Sequence, residues 1–177
     1  MKKKILITGS EGFIGSHIVD FLLKKKLNIK CFVQYNSFNN WGWLEESRFK
    51  NKLKICAGDI RDSNFVDRTV SGCTHVIHLA SLISIPHSYT SASSYVETNV
   101  TGTLNLLQSS VKHKIKKFIH TSTSEVYGTA QKIPIDEKHP LNAQSPYAAS
   151  KIAADQLALS FYKSYNLPVT ILRPFNT

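Results

Sequence analysis

Short runs of branched apolar residues alternate along this chain with longer stretches whose apolar positions recur every three to four residues. Strand–helix–strand units around a parallel sheet produce that alternation, because each strand is buried on both faces and each crossover helix on one. The apolar runs predict strands at 4–8, 29–33, 53–57, 75–79, 117–121 and 169–172. The intervening spacing predicts helices over about 12–26, 63–71, 91–112 and 146–166, with a short helix near Leu44. In the first of these Phe13, Ile14, Ile18, Phe21 and Leu22 share a face. A break is expected at Pro86, ahead of the third long helix. Six strands with crossover helices and no repeat make one α/β domain over 1–177, a doubly wound parallel sheet with helices on both faces.

Composition narrows the partners. With 177 residues, 42% of them apolar, the chain suffices for one domain with its own core. No apolar run is long enough to cross a bilayer, so no membrane partner is expected. The basic start breaks at Thr8-Gly9 after only three apolar residues, so it reads as a solvated lysine cluster and not as an export signal. The net charge of +10 comes from scattered lysines, without an arginine-rich stripe interleaved with aromatics. Nucleic acid is therefore not expected, and an anionic cofactor and substrate account for part of the charge. Cys31, Cys56 and Cys73 are odd in number and lack Cys-x-x-Cys spacing, which suits unpaired thiols in a reducing cytoplasm. His75 and His78 lie three apart in a strand and point to opposite faces, and no metal site is expected.

Two constellations carry chemistry. Gly9, Gly12 and Gly15 fall between the first strand and the first helix. Glycines there permit a tight turn, backbone approach to a pyrophosphate and close helix–strand packing, and the helix N-terminus offers unpaired N–H groups to the phosphates. The expected ribose-binding acid at the end of the second strand is missing; Gln34-Tyr35-Asn36-Ser37 stands there. An arginine suited to a 2′-phosphate is missing too, so NAD and NADP both remain open. Asp59 ends the third strand, placed either to reach an adenine or to cap the next turn. The second constellation is Tyr147-Ala-Ala-Ser-Lys151, opened by Ser145 and Pro146 as cap and first helical residue. Four residues apart, Tyr147 and Lys151 share a helix face. A phenol titrates near pH ~10, and a neighbouring ammonium favours its ionised form. Strand five ends in Thr121-Ser-Thr-Ser-Glu125, several hydroxyls and a carboxylate at the edge where open α/β sheets bind ligands.

Together these motifs resemble the extended short-chain dehydrogenase/reductases that act on nucleotide sugars. Also part of the resemblance are Gly58-Asp59-Ile60, His78-Leu79-Ala80, Thr98-Asn99-Val-x-Gly102-Thr103, Thr123-Ser-Glu-Val-Tyr-Gly128 and Arg173-Pro-Phe-Asn176. More narrowly, 35–43 and the stretches around Glu125 and Tyr147 look like the nucleotide-diphospho-N-acetylglucosamine 4,6-dehydratases of legionaminic acid synthesis. The resemblance implies a Rossmann-type domain in which Gly9, Gly12, Phe13, Ile14, Gly15, Asp59, Ile60, Leu79 and Ala80 line a nicotinamide dinucleotide. It implies that Tyr147 takes the proton of a sugar 4-hydroxyl, Lys151 holds the ribose and supports the phenolate, and Thr123 bonds the same sugar oxygen. Glu125 would then remove the proton at C5, and Ser84, Ser124 and Asn176 would touch the sugar nucleotide. It further implies a homodimer built on the helices at 91–112 and 146–166, where Leu104, Leu107, Leu157 and Phe161 extend the apolar surface beyond one face and would pair two copies or pack under a further region, and a substrate-binding region beyond Asn176. One departure stands out: Ser124 replaces the aspartate that glucose 4,6-dehydratases pair with the glutamate, and the Ser–Glu pair also resembles that of nucleotide-sugar decarboxylases. Epimerases of the same family, and a dinucleotide-holding module without turnover, are the alternatives.

Overall fold

The computed structural model describes residues 3–175. Six strands form one parallel sheet: β1 Lys4–Thr8, β2 Asn28–Gln34, β3 Ile55–Gly58, β4 His75–His78, β5 Lys117–Thr121 and β6 Val169–Leu172. Their spatial order is β3-β2-β1-β4-β5-β6, so the direction of winding reverses between β1 and β4. The helices are α1 Phe13–Lys24, α2 Ser63–Val70, α3 Ile85–Thr90, α4 Ala92–Tyr95, α5 Gly102–Lys112 and α6 Pro146–Tyr165. This is the doubly wound Rossmann-type fold expected from the pattern, and its reversal point opens a crevice at the strands' C-terminal edge.

Strand alternation divides the interior into two cores. Leu6, Phe32, Val76 and Phe118 point to one face, where they pack with Val66 and Val70 of α2, Leu106 and Leu107 of α5 and Phe161 of α6. Ile5, Ile7, Cys31 and Val33 point to the other, against Val19 of α1 and Leu44. A one-residue slip in any strand would exchange the two sets, so the register is tightly specified. Helix ends follow local chemistry. The Asp62 side chain accepts from the N–H groups of Asn64 and Phe65 at the start of α2. Ser145 accepts from Ala148 N–H at the start of α6, and Pro146 occupies its first turn.

The structure corrects the expectation for 91–112 and the break at Pro86. Pro86 lies in the first turn of α3, where its missing N–H costs nothing. The long helix is continuous but widened: α4 passes through a π-helical turn, Val96–Thr101, into α5. Such turns are common at functional sites, and this one carries Asn99 into the crevice wall. The apolar residues singled out for pairing of two copies also fall elsewhere. Leu107 and Phe161 are buried in the chain's own core, and Leu104 and Leu157 pack against it. Cys31 and Cys73 are buried free thiols and Cys56 is half-buried; burial pushes the Cys31 thiol up to about 12. Among the described residues no helix is long and apolar enough to cross a membrane.

Candidate active site and dinucleotide cleft

A cleft of about 1010 Å³ runs along the C-terminal edge of the sheet, and every site residue expected from the sequence lines it except Asn176, which lies outside the described residues. One end is the turn after β1. Gly9 has φ +67°, and a Cβ there would sit 2.7 Å from Ala80 N. A Cβ on Gly15 would lie 2.1 Å from the Gly9 carbonyl oxygen, so β1 and α1 cross too closely for any side chain. Gly12 differs: its Cβ would meet only the Gly9 carbonyl at 3.5 Å, an ordinary contact. The fold does not need a glycine there, but a ligand lying on the first turn of α1 does. That helix has no side-chain cap, so its first N–H groups stand free for an anion. The turn therefore fits a dinucleotide pyrophosphate.

A buried polar chain holds the crevice open at the winding reversal. The Thr8 hydroxyl accepts from the N–H groups of Leu79, at 3.2 Å, and Ala80, at 3.1 Å, and meets His78 Nδ1 at 2.8 Å. Thr103 donates its proton to Asn99 O at 2.6 Å, so its oxygen accepts from His78 Nε2, 2.9 Å away. That assigns a neutral imidazole protonated on Nε2, with Thr8 donating to Nδ1. Burial holds His78 well below the usual imidazole range, in agreement. The Asn99 side chain accepts from Leu82 N–H at 2.8 Å and donates to Leu82 O and Ser150 Oγ, both at 3.0 Å. It thereby ties the 79–84 loop to α6. Ser84 in that loop has φ +86°, a strained backbone for a residue with a side chain. Tyr95, fully buried, donates to the Ser84 carbonyl at 2.8 Å and packs edge-on against the Tyr147 ring at 6.1 Å.

The other end of the cleft holds the reacting groups. β5 delivers Thr123, whose hydroxyl accepts from Glu125 N–H at 3.3 Å and starts a short 3₁₀ turn, Ser124–Tyr127. α6 delivers Tyr147 and Lys151 on one face. Lys151 is 4% exposed and donates to the Thr121 carbonyl at 2.7 Å. Burial depresses its amine from 10.5 to about 8, while the Asp155 carboxylate favours the charged form. Burial raises the Tyr147 phenol above its ordinary value, the Thr123 hydroxyl pulls it back in part, and the Glu125 and Tyr95 side chains push it further up. The structure thus differs from the expectation that the ammonium lowers the phenol: Lys151 is drawn to a main-chain oxygen of β5. Asp59 takes the second of its two expected roles. Its carboxylate caps the turn after β3, accepting from Arg61 N–H at 2.8 Å, and also grips Arg61 Nε at 3.0 Å and Nη2 at 2.6 Å.

Beneath the reacting pair lies a group that the sequence reading missed. Asp155, fully buried one turn after Lys151, accepts from Arg173 Nε at 2.9 Å. Arg173 also donates to the Tyr127 hydroxyl at 3.1 Å. His120 Nε2 stands 3.3 Å from Asp155 Oδ1, too oblique for a hydrogen bond but close enough to act electrostatically. Burial alone would raise the Asp155 carboxyl, and His120, Ser122 and Arg173 outweigh it and hold it ionised. The four-residue spacing from Lys151 was the available signal for Asp155; Arg173 stood in the Arg173-Pro-Phe-Asn176 motif, but nothing local ties it or His120 to Asp155.

Two outcomes follow. Gly12→Val should fold with stability within about 1 kcal/mol of wild type yet lose dinucleotide binding by calorimetry, whereas Gly15→Ala should lose roughly 1–3 kcal/mol in urea unfolding. Equal dinucleotide binding by Gly12→Val and wild type would contradict the turn's assignment. The second concerns Lys151. Below pH 8 the amine is charged in folded and unfolded chains alike, and the folded state bears the full cost of burying it. Between pH 8 and 10.5 the unfolded chain keeps protons that the folded one has shed, so stability rises with pH across that window. Lys151→Met should therefore be about 1–2 kcal/mol more stable than wild type at pH 7, some of the gain being offset by the lost bond to Thr121. The advantage should fade toward pH 10 in urea unfolding; a pH-independent loss of stability would contradict this.

The comparisons with known proteins agree with this geometry. The family model described as GDP-mannose 4,6 dehydratase matches residues 6–177. A dTDP-D-glucose 4,6-dehydratase of Dictyostelium discoideum is 38% identical over 98% of this chain and 44% of its own length. The dTDP-glucose 4,6-dehydratase DesIV of Streptomyces venezuelae, solved with NAD bound, superposes with a TM-score of 0.87 at 34% identity, over 96% of this chain and 54% of its own. A UDP-N-acetylglucosamine 4-epimerase of Methanobrevibacter ruminantium superposes with a TM-score of 0.86 at 34% identity, over 98% and 55%. The chain spans about half the length of the curated relatives it matches. The glycine turn and the Tyr–Lys pair share one sheet edge, and by the match over 6–177 the chain belongs to the GDP-mannose 4,6 dehydratase family, its relatives including nucleotide-sugar dehydratases and epimerases.

Proposed function

We propose that this chain is the cofactor-binding and catalytic part of an NAD-dependent 4,6-dehydratase acting on a nucleotide-diphospho-N-acetylglucosamine. The observation that carries the reading is that Tyr147, Lys151, Thr123 and Glu125 line the same cleft as the pyrophosphate turn. Neighbours solved with NAD bound support the choice of cofactor. The acetamido sugar rests on the resemblance of 35–43 and of the segments around Glu125 and Tyr147. NAD, when bound, supplies the hydride acceptor for oxidation at C4 of the sugar. Tyr147 accepts the proton of the 4-hydroxyl, and Thr123 bonds the same oxygen. A phenol raised by burial is a weak base in the free chain; support of the phenolate by Lys151 rests on the family resemblance. The ketone at C4 acidifies the C5 proton; the exposed Glu125 carboxylate takes it and passes it to the C6 hydroxyl, which leaves as water, and the stored hydride at C6 and a proton at C5 would then complete the 4-keto-6-deoxy sugar. Ser124 beside Glu125 favours a second reading, in which a uronic acid loses carbon dioxide after the same oxidation. Two copies pairing through exposed Val96, Tyr162 and Tyr165, and a reducing cytoplasm that suits the free thiols, complete the proposal.

The test uses the chain continued to the length of its relatives, incubated with the acetamido sugar nucleotide. Reduced cofactor and 4-keto-6-deoxy product are followed separately. Tyr147→Phe should lower both by roughly 10²–10⁴-fold. Glu125→Gln should let reduced cofactor accumulate while product fails to form. Equal loss of cofactor reduction in the two variants would contradict the division of roles. Carbon dioxide released from a uronic acid nucleotide, with no turnover of the acetamido sugar, would establish the second reading instead.

A further inference from the structure

β2 ends without the carboxylate that would hold the adenosine ribose, yet a carboxylate reaches that place from another element. Glu11, within the glycine turn, accepts from Gln34 N–H through Oε1 at 2.8 Å, which sets its head group against the last residue of β2. Both Glu11 and Gln34 line the cleft. Oε2 is closed off from water and has no hydrogen-bond partner. A carboxylate oxygen left in that state is destabilising, and a donor arriving with a ligand relieves it. The polar loop after β2 locks the residue in position: Trp43 N–H donates to Glu11 O at 3.0 Å. Gly42, at φ +53°, packs so closely that a Cβ would lie 2.7 Å from the same oxygen. Asn36, in the loop after β2, is spent on Phe38 N–H and on the main chain of Asn40.

The cations of the cleft complete the picture. Of the lysine and arginine side chains lining it, Lys151 belongs to the Tyr147 end. Arg61 is bound by Asp59 at 2.6 Å and by Glu97 at 3.4 Å, so its charge is already matched. A phosphate arriving beside Glu11 would face a carboxylate and, among the described residues lining the cleft, no unmatched lysine or arginine at that end.

The geometry points to Glu11 as the residue that accepts the 2′-hydroxyl of the adenosine ribose and so selects NAD over NADP. This rests on the dinucleotide reading of the cleft, and the experiment separates the two. The chain and its Glu11→Gln variant are titrated calorimetrically with NAD, NADP and 2′-deoxy-NAD. Glutamine keeps an oxygen for Gln34 N–H, so a circular dichroism melt should show the fold retained. Wild type should bind NAD at least about tenfold more tightly than either analogue, and Glu11→Gln should lose about tenfold in NAD affinity while its preference over 2′-deoxy-NAD shrinks to about twofold. Wild type that binds NAD, with a variant whose affinity and preference are unchanged, overturns the role of Glu11 alone. A folded wild type that binds no NAD overturns the dinucleotide reading as well. Should Glu11→Gln fail to fold, equal affinity of wild type for NAD and 2′-deoxy-NAD overturns the proposal without it.

Discussion

The close approach between the end of β1 and the start of α1 governs what is built around it. A Cβ on Gly15 would fall 2.1 Å from the Gly9 carbonyl oxygen, so helix and strand can meet at this distance only through bare backbone. The crossing aims the free N–H groups of α1 over the sheet edge. It also places Thr8 where one hydroxyl holds the N–H groups of Leu79 and Ala80, the exit of β4. The crevice at the winding reversal is thus fixed by main-chain geometry on one wall and by a single side-chain oxygen on the other.

The opposite end of the cleft is held by polar groups that water would otherwise claim. Lys151, Asp155, His120 and His78 are nearly or fully buried, and each is costly unless matched. The amine depressed to about 8 and the strained Ser84 backbone show where stability is given up for function. The compensating bonds run through side chains that touch no reacting atom. Asn99 ties the 79–84 loop to α6, and Tyr95 links that loop to the Tyr147 ring. Asp155 keeps the buried ammonium charged from one turn below.

Much of this was legible in the sequence because it is local. Strand and helix periods, the Ser145–Pro146 start of α6 and the glycine turn each depend on residues close together in the chain, and the structure keeps all of them. The π turn at Val96–Thr101 was not legible, since its residues suit an ordinary helix and only the tertiary demand on Asn99 widens it. Pro86 was misjudged as a break because a proline at a helix start and one that ends a helix look alike in isolation. Leu107 and Phe161 were assigned to an interface since their apolar character does not say which core they enter. Glu11 was not legible as a neighbour of β2, since only the fold brings residue 11 to residue 34.

The account's central claim is that one continuous cleft joins the turn after β1 to the Tyr147–Lys151 face of α6. A crystal structure of the chain with NAD tests it in one measurement. The account predicts the pyrophosphate on the first turn of α1 beside Gly12, the adenosine ribose at Glu11 and the nicotinamide facing Tyr147 and Lys151. A dinucleotide whose phosphates avoid that turn, or whose nicotinamide lies away from Tyr147, would contradict it.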